Sequence, residues 1–262
     1  MELFDSHCHL DDERFDEDRE EVYLKLREVG VTRLTCVASD LKTAESSLRF
    51  AETHEGVYAT CGVHPHEAKD APQDYIRTLE KLCREKPYVA IGEIGLDYYY
   101  DLSPRDVQKR VLNEQLDLAV ALGMPCVFHI RDAHGDMIEI FRQRKQLPEG
   151  IIHCFSGSAE TAKEYLRMGF YISFAGPLTF KKSVHLQAAC QAVPLDCLLI
   201  ETDSPYLAPE PMRGRRNDPS NVRYVCAKAA ELHGVSEEEM ARITCENAMR
   251  IYRITDPAKV QP

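Results

Sequence analysis

Apolar positions along the chain follow two alternating rhythms. Short runs rich in Val, Ile, Leu, Phe, Tyr and Cys occupy residues 3–5, 34–38, 58–63, 88–91, 126–128, 150–152, 170–174 and 197–200. Between them, apolar residues recur at helical spacing over 20–29, 43–52, 74–84, 104–122, 136–144, 159–168 and 184–192. The stretch 104–122 is the clearest, with Val107, Val111, Leu112, Leu116, Leu118, Ala119 and Leu122 at three- and four-residue steps, which predicts an amphipathic helix. Gly30, Gly123 and Gly169 close three of these segments, where a left-handed residue ends a helix before the next strand. The pattern is a βα unit repeated eight times.

Continuously apolar strands alternating with helices call for a parallel sheet covered on its outer face. Eight such units close into a (β/α)8 TIM barrel, and an open doubly wound sheet is the alternative. No Gly-x-Gly-x-x-Gly follows the first strand, so a dinucleotide-binding sheet is disfavoured. After the eighth run come a loop rich in Pro, Gly and Arg at 204–220 and two closing helices, 222–233 and 236–252. Residues 1–262 read as one TIM-barrel domain, a usual size for this architecture.

The net charge of −11 argues against broad electrostatic wrapping of nucleic acid, which needs many cations to displace counterions. A local basic cluster, Arg213, Arg215 and Arg216, leaves room for a nuclease. No apolar stretch is long enough to span a bilayer and no signal-peptide pattern opens the chain. The ten cysteines are scattered, with the nearest pair, Cys190 and Cys197, seven apart, so they read as reduced and mostly buried. These features predict a cytoplasmic protein without a membrane anchor or an obligate protein partner.

The chemistry is carried by residues at strand ends. His7 and His9 are two apart, which in an extended strand puts both imidazoles on one face. Glu93, His129, His153 and Asp203 each stand at the end of a later run. In a barrel only these ends converge on one pocket. Four imidazoles and two carboxylates suit Zn, Mn, Fe or Co and exceed what a single open catalytic ion uses, so two divalent ions sharing Glu93 account for the set. Such a pair can itself bind a phosphate and acidify water, with Asp203 as the nearest carboxylate for the general base.

Around these six stand further candidates. His64 ends the third strand at the same rim, Arg131 offers a fork of donors to a phosphate, and Arg216, with its neighbours, follows the eighth strand. Glu201 shares the inward face of Asp203 one layer deeper, where it would orient a ligand histidine. The chain has no Trp, so base stacking would fall to Tyr98, Tyr99, Tyr100 or Tyr206.

Six stretches together resemble the TatD family of metal-dependent hydrolases: Phe-Asp-Ser-His-Cys-His at 4–9, Gly-Val-His-Pro-His at 62–66, Ala-Ile-Gly-Glu-Ile-Gly-Leu-Asp-Tyr at 90–98, Phe-His-Ile-Arg-Asp-Ala at 128–133, His-Cys-Phe-Ser-Gly at 153–157 and Glu-Thr-Asp-Ser-Pro-Tyr-Leu at 201–207. The resemblance implies a dinuclear deoxyribonuclease, in some members a 3′ to 5′ exonuclease on DNA. It also implies one metal on His7, His9, Glu93 and Asp203 and the other on Glu93, His129 and His153; the donor set itself leaves the two ions open among Mg, Mn and Zn. An ester hydrolase on D-aminoacyl-tRNA would use the same centre. An amide or lactone hydrolase is a further alternative, although many of those bridge their metals with a modified lysine and residues 90–100 contain no Lys.

Overall fold

The computed structural model describes residues 1–255. The expected domain extends to 262, so its last seven residues lie outside the described part. Eight parallel strands stand in sequence order: β1 (Leu3–Cys8), β2 (Val31–Cys36), β3 (Val57–Cys61), β4 (Ala90–Asp97), β5 (Cys126–Arg131), β6 (Gly150–Ile152), β7 (Tyr171–Phe174) and β8 (Leu198–Ile200). Helices follow them: α1 (Arg19–Leu26), α2 (Leu41–Thr53), α3 (Tyr75–Glu85), α4 (Arg105–Leu122), α5 (His134–Gln143), α6 (Ala159–Arg167), α7 (Val184–Ala192), α8 (Val222–His233) and α9 (Glu237–Ile251). This is the (β/α)8 barrel that the rhythm predicts.

Helix starts are written locally. Asp40 and Thr43 form a reciprocal capping box on α2, and Ser236 accepts from the Glu239 amide ahead of three glutamates in the first turn of α9. These groups satisfy amides that have no partner within the helix and complement its dipole. The interior core contains Phe4, Ala90, Val127, Ile151 and Leu199 from the strands and Val37 just after β2, closed below by Ala248, Ile251 and Tyr252 on and just after α9. The outer core lies between strands and helices and contains the alternate strand residues, among them Cys8, Ile91, Phe128, Ile152 and Ile200.

The sheet closes where β8 meets β1. The Asp203 amide donates to the His7 carbonyl at 2.9 Å, and the His9 amide donates to the Ser204 carbonyl at 2.7 Å. Below them the buried Asp5 carboxylate accepts from the Thr202 amide at 2.8 Å. The seam is thus built from the backbone of the candidate ligands His7, His9 and Asp203 and from the residues that flank them.

β1 and β5 run past the expected apolar runs, to Cys8 and Arg131, and β4 departs furthest from expectation. The apolar run ending at Ile91 continues as a strand to Asp97, so Glu93 is inside β4 rather than at its end. Gly92 and Gly95 look like strand breakers in sequence, yet they mark close approach of two strands. A Cβ on Gly92 would lie 2.7 Å from that of Val127, and one on Gly95, where φ is 153°, would lie 1.8 Å from the His129 carbonyl oxygen. Their absent side chains let β4 sit against β5 with Glu93 beside His129.

Candidate metal centre

Strand alternation lifts the candidates out of the apolar floor. Two residues above Val127 stands His129, two above Ile151 stands His153, and four above Leu199 stands Asp203. On β1 a register irregularity between Asp5 and Cys8 turns His7 and His9 inward while Cys8 stays in the outer core. All six residues except His7 line one open cleft of about 530 Å³, and His7 lies buried at its base, in contact with Glu93.

The Glu93 carboxylate is the hub. Its Oε1 is 2.7 Å from His129 Nδ1 and 2.7 Å from His153 Nε2, while Oε2 is 3.4 Å from His7 Nε2. Asp203 Oδ1 is 3.5 Å from His9 Nε2 and 3.7 Å from His7 Nε2, and those two ring nitrogens are 3.3 Å apart. The ligand atoms of His7, His9 and Glu93 cluster within 4.8 Å of one another, as do those of Glu93, His129 and His153. His7, His153 and Asp203 form a further such group.

The outward nitrogens fix which atoms face inward. His9 Nδ1 donates to the Val37 carbonyl at 2.8 Å, His153 Nδ1 donates to Glu201 Oε1 at 3.1 Å, and His129 Nε2 donates to Asp97 Oδ2 at 2.9 Å. Each partner is purely an acceptor, so the neutral imidazole must turn a lone pair toward the centre. Lone pairs of three imidazoles therefore converge on two carboxylates. Such a set is stable only with positive charge between its members, and imidazole with carboxylate donors suits divalent transition metals or Mg and Mn. The residues fit a metal centre.

Without metal, protons take that place. Burial opposes charging of His9, but hydrogen bonding to Asp203 and its charge prevail and push the imidazole up to about 9. Burial likewise opposes protonation of His153 and His129, and their carboxylate neighbours raise both. Burial works against ionisation of Glu93 and Asp203, yet the surrounding imidazoles hold both below the usual carboxylate range. His7 and His64 go down, through burial and then the charge of His153 and His129 respectively.

The remaining candidates divide. His64 is buried in the cleft wall with Nε2 3.6 Å from Glu93 Oε1, and Arg131 also lines the cleft. Glu201 is wholly buried and meets His153 Nδ1 and the Cys154 amide, so it supports a ligand and does not face the cleft. Arg216 is not brought to the site: its guanidinium pairs with the Asp18 carboxylate and the Arg14 carbonyl and packs on Phe15. Sequence reasoning passed over Asp97, whose Oδ2 accepts from both His129 Nε2 and His66 Nε2 at 2.9 Å. Its even spacing from Glu93 is the signal, hidden because the strand seemed to stop at Ile91. His66, given no role in the expected site, also lines the cleft.

Comparison with known proteins agrees with this geometry. The family described as TatD related DNase matches residues 4–253. The chain is 43% identical to the uncharacterized metal-dependent hydrolase YabD of Bacillus subtilis over 253 residues, covering 96% of this chain and 99% of that one. It is 32% identical to the 3′-5′ ssDNA/RNA exonuclease TatD of Cronobacter sakazakii, covering 95% and 97%. The crystal structure of YjjV, a TatD homologue from Escherichia coli, superposes with a TM-score of 0.90 at 28% identity, covering 97% and 98%. With a family model matching nearly its whole length and relatives of this identity and coverage, the chain belongs to the TatD family of metal-dependent hydrolases.

Proposed function

We propose that this hydrolase cleaves phosphodiester bonds, as a 3′ to 5′ exonuclease on single-stranded DNA. The observation that carries the reading is the Glu93 carboxylate set between two groups of imidazoles in an acidic cleft. Asp11, Asp12, Glu67, Glu93, Asp97 and Asp203 line that cleft, and among the described residues Arg131 is the one Arg or Lys that does. A phosphate anion enters such a place only alongside cations. His7, His9, Glu93 and Asp203 would hold one ion, and Glu93, His129 and His153 the other. When bound, divalent ions supply Lewis acidity for a phosphoryl oxygen and acidify water.

The chain's own groups then have separate tasks. Asp203 has 15% of its side chain exposed, against 4% for Glu93, so it is the ionised carboxylate a water in the cleft can reach. It accepts the proton as general base. Arg131 and His64 face the same space and position the phosphate. Glu201 and Asp97 keep His153 and His129 in the tautomers that present lone pairs inward.

The test is to remove metal with chelator, restore Mg, Mn, Co or Zn one at a time, and follow 5′-labelled single-stranded DNA beside D-aminoacyl-tRNA and a small carboxylic ester. Stepwise shortening from the 3′ end supports the reading. Release of the amino acid with intact DNA would instead make the protein a carboxylic ester hydrolase.

A further inference from the structure

Among the described residues, five of the eight exposed large apolar side chains stand at or beside the cleft: Tyr99, Tyr100, Leu102, Tyr206 and Leu207. Two of these form a built feature. Tyr99 and Tyr100 are 58% and 54% exposed, with ring centroids 4.9 Å apart and planes at 85°. The Arg131 guanidinium lies over both rings, 4.1 Å from the centroid of Tyr99 and 4.8 Å from that of Tyr100. Arg131 makes no ion pair with any carboxylate among the described residues, so its donors are not committed to an internal anion.

The loop that carries the rings is held. Asp97 Oδ1 accepts from the amides of Tyr99 and Tyr100 at 3.0 and 2.8 Å. Gln108 bonds the Asp97 amide at 2.8 Å and the Ser103 carbonyl at 2.8 Å, and Asp101 pairs with Arg105. The other oxygen of the same Asp97 carboxylate takes His129 and His66, so one side chain fixes both a candidate ligand and the two tyrosines. Tyr100 and His66 meet edge to face at 5.5 Å, and His66 is 6.0 Å from His129. Exposed aromatic rings on a rigid turn contribute little to folding, yet they cost a ligand little ordering entropy. Tyr98 and Tyr206 do not share this arrangement, since the Tyr98 hydroxyl is bound by Asp136 and the arginine over Tyr206, Arg14, is already paired with Asp12.

We infer that Tyr99, Tyr100 and Arg131 form a subsite for one unpaired nucleobase of a nucleic-acid strand, with the base on the tyrosines and the adjoining phosphate on Arg131. The inference deepens the nuclease reading and rests on it. Stacking on aromatic side chains tolerates every base, whereas a paired base has its faces covered by neighbours, so the subsite selects strands that can splay a nucleotide out. Asp97 is a positioning residue that sets the distance between subsite and centre.

The test uses the metal-loaded protein and a short single strand with 2-aminopurine at its 3′-terminal or penultimate position and phosphorothioate at the last linkages. Binding should quench the fluorophore at one position. In Tyr99→Leu/Tyr100→Leu the quenching should be lost and affinity should fall about tenfold, the equivalent of about 1.4 kcal/mol, while Tyr99→Phe/Tyr100→Phe restores both. The wild type should prefer a strand with that base over one abasic there, and the leucine variant should not. Cleavage of an ordinary strand without quenching, or equal discrimination by both proteins, overturns the subsite and leaves the nuclease reading intact. Quenching that the leucine variant loses, without cleavage by the wild type, supports the subsite and sinks the nuclease reading.

Discussion

The two ends of the same eight strands are made by opposite rules. At the lower end Phe4, Ala90, Val127, Ile151 and Leu199 fill the barrel against Ala248, Ile251 and Tyr252, and Phe4 stacks on Tyr58 at 5.8 Å. There volume decides, and any apolar set that packs would serve. One layer higher the same inward positions become His129, His153 and Glu201, and a layer above that Asp203, whose mutual repulsions and attractions decide instead. Asp132, Cys154 and Asp203 all take positive φ at this rim, at 54°, 42° and 55°, a conformation that costs a non-glycine residue about 1–3 kcal/mol. The floor supplies the stability that lets the rim be strained, polar and crowded with like lone pairs.

Substitutions should separate the two ends. The largest effect is expected from Asp203→Asn: turnover should fall about a hundred- to ten-thousand-fold, the range for loss of a general base, while the unfolding transition of the metal-free protein stays near that of the wild type. Near-normal turnover would remove Asp203 from the chemistry. Phe4→Ala should do the reverse. Truncating a fully buried phenylalanine should cost about 3–5 kcal/mol of stability in chemical denaturation, with activity in the cold retained by the fraction still folded. An unchanged denaturation midpoint would show that the floor does not carry the stability assigned to it.

Glu201 is where the two rules meet, buried like the floor but hydrogen-bonded like the rim. Glu201→Gln keeps an acceptor oxygen but removes the charge behind His153, and metal affinity should fall about ten- to a hundredfold, read by competition with a chromogenic chelator. If affinity is unchanged, Glu201 serves packing alone. This variant should alter metal affinity more than turnover at saturating metal.

The barrel and the convergence of the six candidate ligands were legible in the sequence because both rest on short-range periodicities. A period of two places His7 with His9 and Glu201 with Asp203 on one face, and a repeat of strand and helix closes the ring. What depended on close approach or on distant partners was not legible. Gly92 and Gly95 extend β4 because they face Val127 and the His129 carbonyl, contacts that no local pattern announces, and Asp97 was passed over with them. Arg216 follows the eighth strand, as a rim residue would, but its loop turns back to Asp18, a partner 198 positions away. Position after a strand predicts the end of the barrel, not the direction of a long loop.

That misplacement yields the smallest predicted effect. The Arg216–Asp18 pair is partly exposed, and pairs of this kind are worth about 0–1 kcal/mol. Arg216→Ala should therefore leave KM for single-stranded DNA within about twofold of the wild type, a difference of about 0.4 kcal/mol. Among the described residues Arg131 is the one guanidinium lining the cleft, so affinity should decline only shallowly with salt, by a slope of about −0.7 per neutralised phosphate on single strands. A slope implying six or more phosphate contacts, or a marked rise in KM for Arg216→Ala, would mean that the strand runs across the loop beyond the eighth strand. Binding would then depend on a basic surface outside the cleft, and the division between an acidic, metal-dependent rim and an inert periphery would have to be redrawn.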